Sequence, residues 1–170
     1  HLGLGENQFT KLPPEIGHLT NLIWLYLEGN QLSTLPPEIG QLTNLTGLSL
    51  RGIHFTALPS EIGKLTKLVY LKLGENQFTM LPPEIGKLTN LTWLYLEGNQ
   101  LTTLPPEIKK LTKLTELQIE RNPLTDEGLE HLKSLKSLKR LNLCETKITK
   151  TGVGSFKKAL PNCEIEVLRK

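Results

Sequence analysis

Hydrophobic and polar positions follow one another in a block that recurs every 23 residues along this chain. One leucine marks the same place in successive blocks, at Leu22, Leu45, Leu68, Leu91 and Leu114. Each block also holds a leucine, one variable residue and a second aliphatic residue, and this short alternation predicts a β-strand with one buried face. A strand so short cannot form a core alone, so the period predicts units that stack on one another.

Read in full, the block is L-x-x-L-x-L-x-x-N-x-L-x-x-L-P-x-x-I-x-x-L, and residues 88–111 contain nearly all of it. By this motif the chain resembles the leucine-rich-repeat family over its whole length. The resemblance implies an α/β solenoid, a right-handed superhelix whose concave side is a parallel β-sheet of about eight strands. The expected strand cores are residues 2–4, 25–27, 48–50, 71–73, 94–96, 117–119, 141–143 and 165–167.

The segments that return from one strand to the next change character along the chain. Early repeats carry Leu-Pro-Pro-Glu-Ile-Gly, as at residues 35–40, and proline suits the first turn of a short helix, so turns and 3₁₀ segments are predicted on the convex side. Later, apolar residues recur at helical spacing, which predicts short α-helices. They are Leu129, Leu132 and Leu135 in one unit and Val153, Phe156 and Leu160 in the next.

These differences predict one leucine-rich-repeat domain over residues 1–170, with typical 23-residue repeats at 1–123. Residues 124–170 then form longer, helix-backed repeats, which resemble the ribonuclease-inhibitor-like class, and a C-terminal cap closed by a strand with charged Glu164 and Glu166. The chain starts partway through a repeat, so we expect the N-terminal cap to be absent and the chain to be a fragment. The uncapped first strand could then fray or contact a neighbouring molecule edge to edge.

An asparagine recurs after the strands and predicts a ladder of hydrogen bonds to backbone groups of the turns. Its positions are Asn7, Asn30, Asn76, Asn99 and Asn122. Ile53 interrupts the series, so the turn at this repeat must satisfy its backbone in another way. All four phenylalanines, Phe9, Phe55, Phe78 and Phe156, occupy apolar positions and are expected in the core.

Composition narrows the classes of partner. The net charge is +3, and Lys and Arg outnumber Asp and Glu by 14 to 9 from residue 105 onward, but acidic residues interleave the lysines and the aromatic residues lie elsewhere. We therefore expect no nucleic-acid partner. An apolar run of the roughly 18 residues that a membrane span needs is missing. Cys144 and Cys163 are offset by about five residues on neighbouring strands, so a disulfide is not expected, and two thiols mildly favour the cytoplasm without excluding secretion.

No arrangement of residues for catalysis or for a cofactor is visible. The four histidines fall in different phases of the repeat, without acids or cysteines at metal-ligand spacing, and no glycine-rich nucleotide loop is present. The acceptor triplets for glycosylation at Asn44 and Asn90 are by-products of the repeated Leu-Thr-Asn-Leu. The chain is therefore predicted to be a non-enzymatic protein without a cofactor.

Three outward columns of the sheet remain. The column before each leucine pair runs His1, Trp24, Gly47, Tyr70, Trp93, Glu116, Arg140, Glu164. The central column runs Gly3, Tyr26, Ser49, Lys72, Tyr95, Gln118, Asn142, Glu166, and the column after runs Gly5, Glu28, Arg51, Gly74, Glu97, Glu120, Cys144, Leu168. Both tryptophans and all three tyrosines lie in these columns. Tyr and Trp suit a half-wet binding surface, whereas Phe suits a dry core.

We therefore predict that the concave face binds a macromolecular partner, most readily a protein, and that the chain itself is a monomer. The candidate contact residues are Trp24, Tyr26, Glu28, Arg51, Tyr70, Lys72, Trp93, Tyr95, Glu97, Glu116 and Gln118. Trp24 and Trp93 count as one observation, because residues 19–39 and 88–108 are near copies 69 residues apart.

Three other interpretations stay open at this point. Aromatic residues also stabilise neighbouring strands, so the columns could serve the sheet alone. Stacked Trp and Tyr beside carboxylates would also suit a carbohydrate. The chain could, finally, be the recognition arm of a larger signalling enzyme, since repeats that resemble these occur fused to such domains.

Overall fold

Eight short strands form one parallel sheet in the computed structural model, which describes residues 1–167. The strands follow chain order and each pairs in parallel with the next. Their bounds are β1 Leu2–Gly3, β2 Trp24–Tyr26, β3 Gly47–Ser49, β4 Tyr70–Lys72, β5 Trp93–Tyr95, β6 Glu116–Gln118, β7 Arg140–Asn142 and β8 Glu164–Glu166. The chain is thus an α/β solenoid, and the predicted fold class is confirmed.

The alternation of each strand separates a buried side from an outward side. Leu25 and Leu27 are fully buried, whereas Tyr26 between them is only half-buried. Pairing places Leu25 beside Leu48, so each inward leucine packs on its equivalent in the next repeat. β1 begins at Leu2 as expected, whereas β2 to β8 each begin one residue earlier than the leucine pairs suggested. Leu168, expected to follow the last strand outward, lies outside the described residues.

The convex side consists of turns and short 3₁₀ segments and changes to α-helix near the C-terminal end, as predicted. Proline sets the extended backbone just before each early 3₁₀ segment, as Pro36 does with φ −67°, and the following isoleucine, such as Ile39, is buried. The 3₁₀ segments are Pro14–His18, Pro37–Gln41, Ser60–Lys64, Pro83–Lys87, Pro106–Lys110 and His131–Ser134. The helices are α1, Asp126–Glu130, and α2, Lys150–Ala159.

The asparagine ladder forms in the interior as predicted. Asn76 Nδ2 donates to the carbonyls of Leu50 and Leu73 at 2.8 and 2.9 Å, and Asn76 Oδ1 accepts from the amide of Phe55 at 2.9 Å. The same oxygen also accepts from the amide of Ile53 at 3.3 Å. One asparagine therefore serves two amides in the repeat that lacks its own.

The backbone of this exceptional turn differs as well. Gly52 has φ +66°, as the equivalent glycines do, but His54 also lies in the left-handed region with φ +61°. A second left-handed residue is uncommon outside glycine and changes the direction of the chain after Ile53. The repeat at residue 53 thus keeps its place in the solenoid by a different turn.

The core is continuous along the solenoid but open at its first repeat. Phe55, Phe78 and Phe156 are buried, as expected. Phe9 is 40% exposed, so the prediction that it lies in the core is wrong, and Leu19 is exposed to a similar degree. The physical reason is that the first repeat packs against another repeat on one side only.

The two cysteines lie near the C-terminal end of the core. Cys144 and Cys163 are both buried, and no disulfide joins them. Burial and the neighbouring carboxylate of Glu164 raise the pKa of the Cys163 thiol to about 11. Within residues 1–167, no helix has the length and apolar character that crossing a membrane requires.

Candidate binding face

The concave face, defined here as the three outward columns of the sheet, brings distant residues together through the register of the strands. Tyr70 pairs with Trp93, and Trp93 pairs with Glu116. Because every strand is locked by hydrogen bonds on both sides except at the ends of the sheet, the face is a rigid support for side chains. All eleven candidate residues lie on it.

Four aromatic rings of the concave face pack into one continuous series, the aromatic ladder. Trp24 stacks on Tyr26 with ring centroids 5.7 Å apart, and Trp24 also contacts Tyr70 at 5.5 Å. Tyr70 in turn contacts Tyr95 at 5.3 Å. His1 lies at the outer end, 6.3 Å from Trp24 and nearly parallel to it. The ladder therefore joins β2, β4 and β5 through side chains.

Trp24 reaches Tyr70 across an intervening strand because Gly47 leaves room for the indole. A Cβ atom built at Gly47 would lie 2.1 Å from Cε3 of Trp24, which is far closer than atoms can approach. The indole therefore lies over β3 at Gly47. Sequence reasoning missed this role of Gly47, although the residue stands in the column next to Trp24.

Trp93 occupies the equivalent place in the duplicated block but is arranged differently. The strand sequence is Trp-Leu-Tyr in both, yet the neighbour of Trp93 on the next strand is Glu116, where Trp24 has Gly47. Trp93 is 37% exposed, and in the described part of the chain its ring makes no aromatic contact. Trp93 is thus the more exposed of the two tryptophans on this face.

Glu116 organises a network of hydrogen bonds beside Trp93. The residue is only 8% exposed, and its carboxylate accepts from the Tyr95 hydroxyl at 3.0 Å and from Gln118 Nε2 at 3.2 Å. Arg140 donates to the other oxygen, Oε2, through Nε at 2.9 Å and also through Nη2. The network holds Arg140 at the surface, where its side chain is 60% exposed.

The protonation of these groups follows from their surroundings. Burial by itself would raise the pKa of Glu116, but the hydrogen bonds from Arg140, Gln118 and Tyr95 outweigh burial and lower it. Burial and the hydrogen bond to Glu116 raise the pKa of the Tyr95 hydroxyl. Tyr70 has a raised pKa too, through burial first and then the negative charge of Glu97. Both tyrosine hydroxyls are therefore neutral at physiological pH.

In the column after the strands, glycines again make room for long neighbours. A Cβ at Gly74 would lie 2.2 Å from the carboxyl carbon of Glu97, so this carboxylate lies over β4. There Glu97 Oε1 is 3.4 Å from Arg51 Nε, and Arg51 Nη2 is 3.6 Å from Glu75 Oε1. Glu75 also binds Arg121, so ion pairs link the turn after β3 to the turn after β6.

Three carboxylates of the same column are only partly satisfied. In the described part of the structure, the Oε2 atoms of Glu28, Glu97 and Glu120 are buried and have no hydrogen-bond partner. Burial raises the pKa of Glu120, and the nearby charge of Glu97 raises it further. Unpaired buried oxygens are costly and are therefore unusual in folded proteins.

Two open grooves follow the charged column. One, with a volume of about 330 Å³, lies between Glu28, Ser49, Arg51 and Lys72, and the other, about 470 Å³, lies between Tyr70, Tyr95, Glu97 and Glu120. Arg51 and half-buried Lys72 line both grooves. Among residues 1–167, no group of three or more His, Cys, Asp or Glu side chains is arranged to hold a metal ion.

A single-layer solenoid whose parallel sheet carries an uncovered outward face defines a repeat protein of the stacked strand-and-turn type. The family model "Leucine-rich repeat region" matches residues 1–69 and 60–158. The chain therefore belongs to the leucine-rich-repeat family. No curated protein matches it.

Solved structures agree with this assignment. A leucine-rich-repeat protein of Leptospira interrogans is 44% identical with a TM-score of 0.91, and the match covers 97% of this chain and 42% of that protein. Two internalins of Listeria monocytogenes share the fold. The internalin inlF is 23% identical with a TM-score of 0.75, over 94% of this chain and 52% of its own. Internalin C2 is 24% identical with a TM-score of 0.76, over 98% and 80%.

Proposed function

We propose that the chain is a protein-binding module that uses its concave face and carries out no catalysis. One observation carries the proposal: Trp93 stands 37% exposed on a central strand, next to Tyr70 of the aromatic ladder on one side and, on the other, to Glu116, which binds the surface arginine Arg140. Trp, Tyr and Arg are the residues most enriched at the energetic centres of protein interfaces. Membership of the leucine-rich-repeat family, whose members typically bind proteins, supports the same function.

The packing of the aromatic rings favours a protein over a carbohydrate. A sugar ring stacks on an accessible aromatic face, but Trp24, Tyr26, Tyr70 and Tyr95 are half-buried against one another. Their rigid, mutually packed surface instead resembles the pre-organised centre of an interface. The interpretation that these rings only stabilise the sheet explains the ladder, but it leaves the exposure of Trp93 without a reason.

Site-specific crosslinking tests the proposal. A photoreactive amino acid replaces Gln118 on the concave face or, as the matched control, exposed Lys87 on the convex side, in cells that express the chain. We expect a discrete protein adduct from position 118 and none from position 87. Trp93→Ala should reduce the adduct at 118 severalfold without changing the far-ultraviolet circular dichroism.

Two results would contradict the proposal. Equal adducts from both positions would mean that the convex side is contacted as readily as the concave face. A glycan array that binds the chain, with binding lost in Trp93→Ala, would replace the protein partner with a carbohydrate.

A further inference from the structure

The segments that lead into the strands are strongly basic. Four of them follow one another in the solenoid, each from the last turn of a 3₁₀ segment to the next strand, at residues 64–69, 87–92, 109–115 and 133–139. Together they are here called the basic side, and they contain nine lysines and no acidic residue. The lysines are Lys64, Lys67, Lys87, Lys109, Lys110, Lys113, Lys133, Lys136 and Lys139. All are exposed except half-buried Lys133.

The other ends of the strands carry the opposite charge. Between β2 to β7 and the 3₁₀ segment or helix that follows each strand, the chain has five carboxylates and three cations. They are Glu28, Glu75, Glu97, Glu120 and Glu145 against Arg51, Arg121 and Lys147. Because all strands are parallel, residues before the strands share one side of the solenoid and residues after them share the other. The fold thus separates charges that alternate along the sequence.

The lysines of the basic side have few counter-charges. Within residues 1–167, Lys133 alone of the nine forms an ion pair, with Glu130. Glutamates stand three residues before Lys64, Lys87 and Lys110 on the 3₁₀ segments, but in this part of the chain no ion pair joins them to these lysines. Like charges that lie close together repel one another, so an anionic ligand would stabilise the basic side.

Neutral acceptors hold two of these ammonium groups in place. Lys67 Nζ donates to Asn44 Oδ1, and Lys113 Nζ donates to Asn90 Oδ1, each at 2.7 Å. Each asparagine is fixed in turn, because its Nδ2 donates at 2.9 Å to a backbone carbonyl of the repeat before. An amide oxygen orients an ammonium group without neutralising it and leaves two of its three N–H groups for a ligand.

Glycines of the preceding repeat place two further lysines. A Cβ at Gly40 would lie 2.9 Å from Lys64 Cδ, and a Cβ at Gly63 would lie 3.0 Å from Lys87 Cδ. Each aliphatic stem therefore lies on the glycine of the repeat before it. Because strands repeat at a fixed spacing, equivalent lysines two repeats apart are separated by about 10 Å along the solenoid axis. The ammonium groups thus form a row along this axis.

The residue types of the basic side distinguish between classes of polyanion. The four segments contain no Phe, Tyr or Trp on which the bases of a single-stranded nucleic acid would stack. Protein interfaces are enriched in arginine and depleted in lysine, whereas all nine cations here are lysines. The leucines of the segments, such as Leu65, Leu88 and Leu111, are buried and cannot insert into a membrane.

A row of point charges suits sulfate groups that recur along one extended chain. Each repeat adds only six or seven residues to the basic side, so the row matches one polyanionic chain better than the two strands of a nucleic-acid duplex.

We propose that the basic side binds a linear sulfated polysaccharide, which lies along the solenoid axis with sulfate groups at Lys67, Lys113 and the lysines between them. This site is separate from the concave face and does not depend on the proposed protein-binding function. The contact is electrostatic, so its affinity falls as the salt concentration rises.

Heparin is the probe that tests the inference. Its affinity for the full chain is measured by isothermal titration calorimetry at several salt concentrations up to about 0.15 M, with uncharged dextran as the negative control. Lys67→Gln with Lys113→Gln should weaken heparin binding by about tenfold, because two fixed charge contacts are lost. Thermal unfolding of this variant should match the wild type.

The matched control is Lys11→Gln with Lys147→Gln. It removes the same charge from two exposed lysines that follow β1 and β7, and it should leave heparin affinity unchanged. Trp93→Ala should also bind heparin like the wild type, because Trp93 lies on the concave face. Heparin binding that survives Trp93→Ala and is lost in the Lys67 and Lys113 variant would support the inference.

Four results would overturn it. Heparin could fail to bind at about 0.15 M salt, or the control variant could weaken binding as much as the Lys67 and Lys113 variant, which would reduce the effect to overall charge. Loss of heparin binding in Trp93→Ala would move the polysaccharide to the concave face. Tighter binding of a DNA duplex, or of phosphatidylserine vesicles, through Lys67 and Lys113 would assign the basic side to another class of partner.

Discussion

At the scale of the residue, the positions without side chains determine where the large ones lie. Gly47 lets the Trp24 indole cross β3, and Gly74 lets the Glu97 carboxylate cross β4 toward Arg51. A Cβ at Gly47 would lie 2.1 Å from the Trp24 ring, so alanine there requires the indole to move, whereas a Cβ at Gly74 meets only the flexible end of Glu97. Close approach, and not backbone conformation, explains both glycines, because neither has a positive φ.

The first prediction concerns Gly47. Gly47→Ala should push the Trp24 indole off Tyr70, at a cost of about 1–3 kcal/mol in the free energy of unfolding. In a Trp93→Phe background, where Trp24 is the remaining tryptophan, the emission maximum should move to longer wavelength. Gly3→Ala is the control, because a Cβ there meets nothing within 4 Å. Unchanged emission of Trp24 in Gly47→Ala would contradict the arrangement described here.

The second prediction concerns Asn76, which serves two amides of the turn at Ile53. Asn76→Ala removes its hydrogen bonds to Leu50 and Leu73 and leaves those buried groups unpaired, so the free energy of unfolding should fall by roughly 3 kcal/mol. Asn7→Ala, at the exposed position of the same column, should cost less than about 1 kcal/mol. Urea unfolding of both variants measures the difference. Equal losses in the free energy of unfolding would count against the asparagine ladder as a source of stability.

At the scale of the element, each strand after the first has only three residues, so side chains that cross from strand to strand add to a short hydrogen-bonded pairing. Glu116 on β6 links Tyr95 on β5 to Arg140 on β7. Glu120, two residues beyond the end of β6, lies near the like charges of Glu97 and Glu166 instead. Two carboxylates four residues apart are therefore expected to affect stability in opposite directions.

The third prediction follows from their pKa shifts. Because the pKa of Glu116 is lowered in the folded state, its carboxylate stabilises the fold at pH values above the ordinary carboxylate pKa of about 4. This stabilisation is lost as the pH falls through the lowered pKa. Glu116→Gln should therefore be destabilised at pH 7 and approach the wild type at pH 2.5. The raised pKa of Glu120 destabilises the charged form, so Glu120→Gln should be more stable than the wild type at pH 7 and equal to it near pH 3.

Urea unfolding at both pH values measures the two effects in one experiment. Each variant acts as the control for the other, since both replace one carboxylate by an amide on the same stretch of chain. Shifts of the same sign at pH 7 would contradict the assignment of the two environments.

At the scale of the whole molecule, each repeat packs only on its sequence neighbours, so stability is distributed along the axis and is lowest where a neighbour is missing. Leu94, in the middle, is fully buried, whereas Phe9 and Leu19 of the first repeat are 40% and 44% exposed. β1 also has only two residues in the sheet. The first repeat is therefore less well packed than the repeats in the middle of the solenoid.

The fourth prediction is a gradient of hydrogen exchange. Backbone amides of residues 1–22 should exchange at least tenfold faster than those of residues 70–92, because opening the end of a solenoid requires breaking one interface and opening its middle requires two. Exchange measured on dilute monomer by mass spectrometry checks this. Equal protection of both segments would show that the solenoid opens as one unit.

The features of the fold that depend on periodicity could be predicted from the sequence. A repeated spacing predicts the eight strands, the inward leucines and the asparagine ladder. It also predicts which residues face outward on the sheet, and the structure confirms these predictions. Phe9 shows where this reasoning fails, because a periodic pattern assigns the same burial to every repeat, whether or not another repeat covers it. The end of the stack is a property of the assembly and not of the motif.

The positions of the rings and carboxylates on the concave face could not be predicted in the same way. Trp24 and Trp93 both stand in a Trp-Leu-Tyr strand, but the residue that faces each on the next strand differs, Gly47 for Trp24 and Glu116 for Trp93. The dependence of Trp24 on Gly47 and the fixing of Arg140 by Glu116 are both relations between columns of neighbouring repeats. A reading of each column by itself identifies the candidates but not their contacts.

The contrast between Trp24 and Trp93 also bears on how this surface changed after its three-repeat block was duplicated. Both copies have the Trp-Leu-Tyr strand, but the following repeat carries Gly47 opposite Trp24 and Glu116 opposite Trp93. The two tryptophans therefore differ in surroundings at a position outside the tryptophan-bearing repeat. A substitution in one unit of such an array can alter the exposure of an unchanged residue in the unit before it, so a new recognition surface can arise next to the position that mutates.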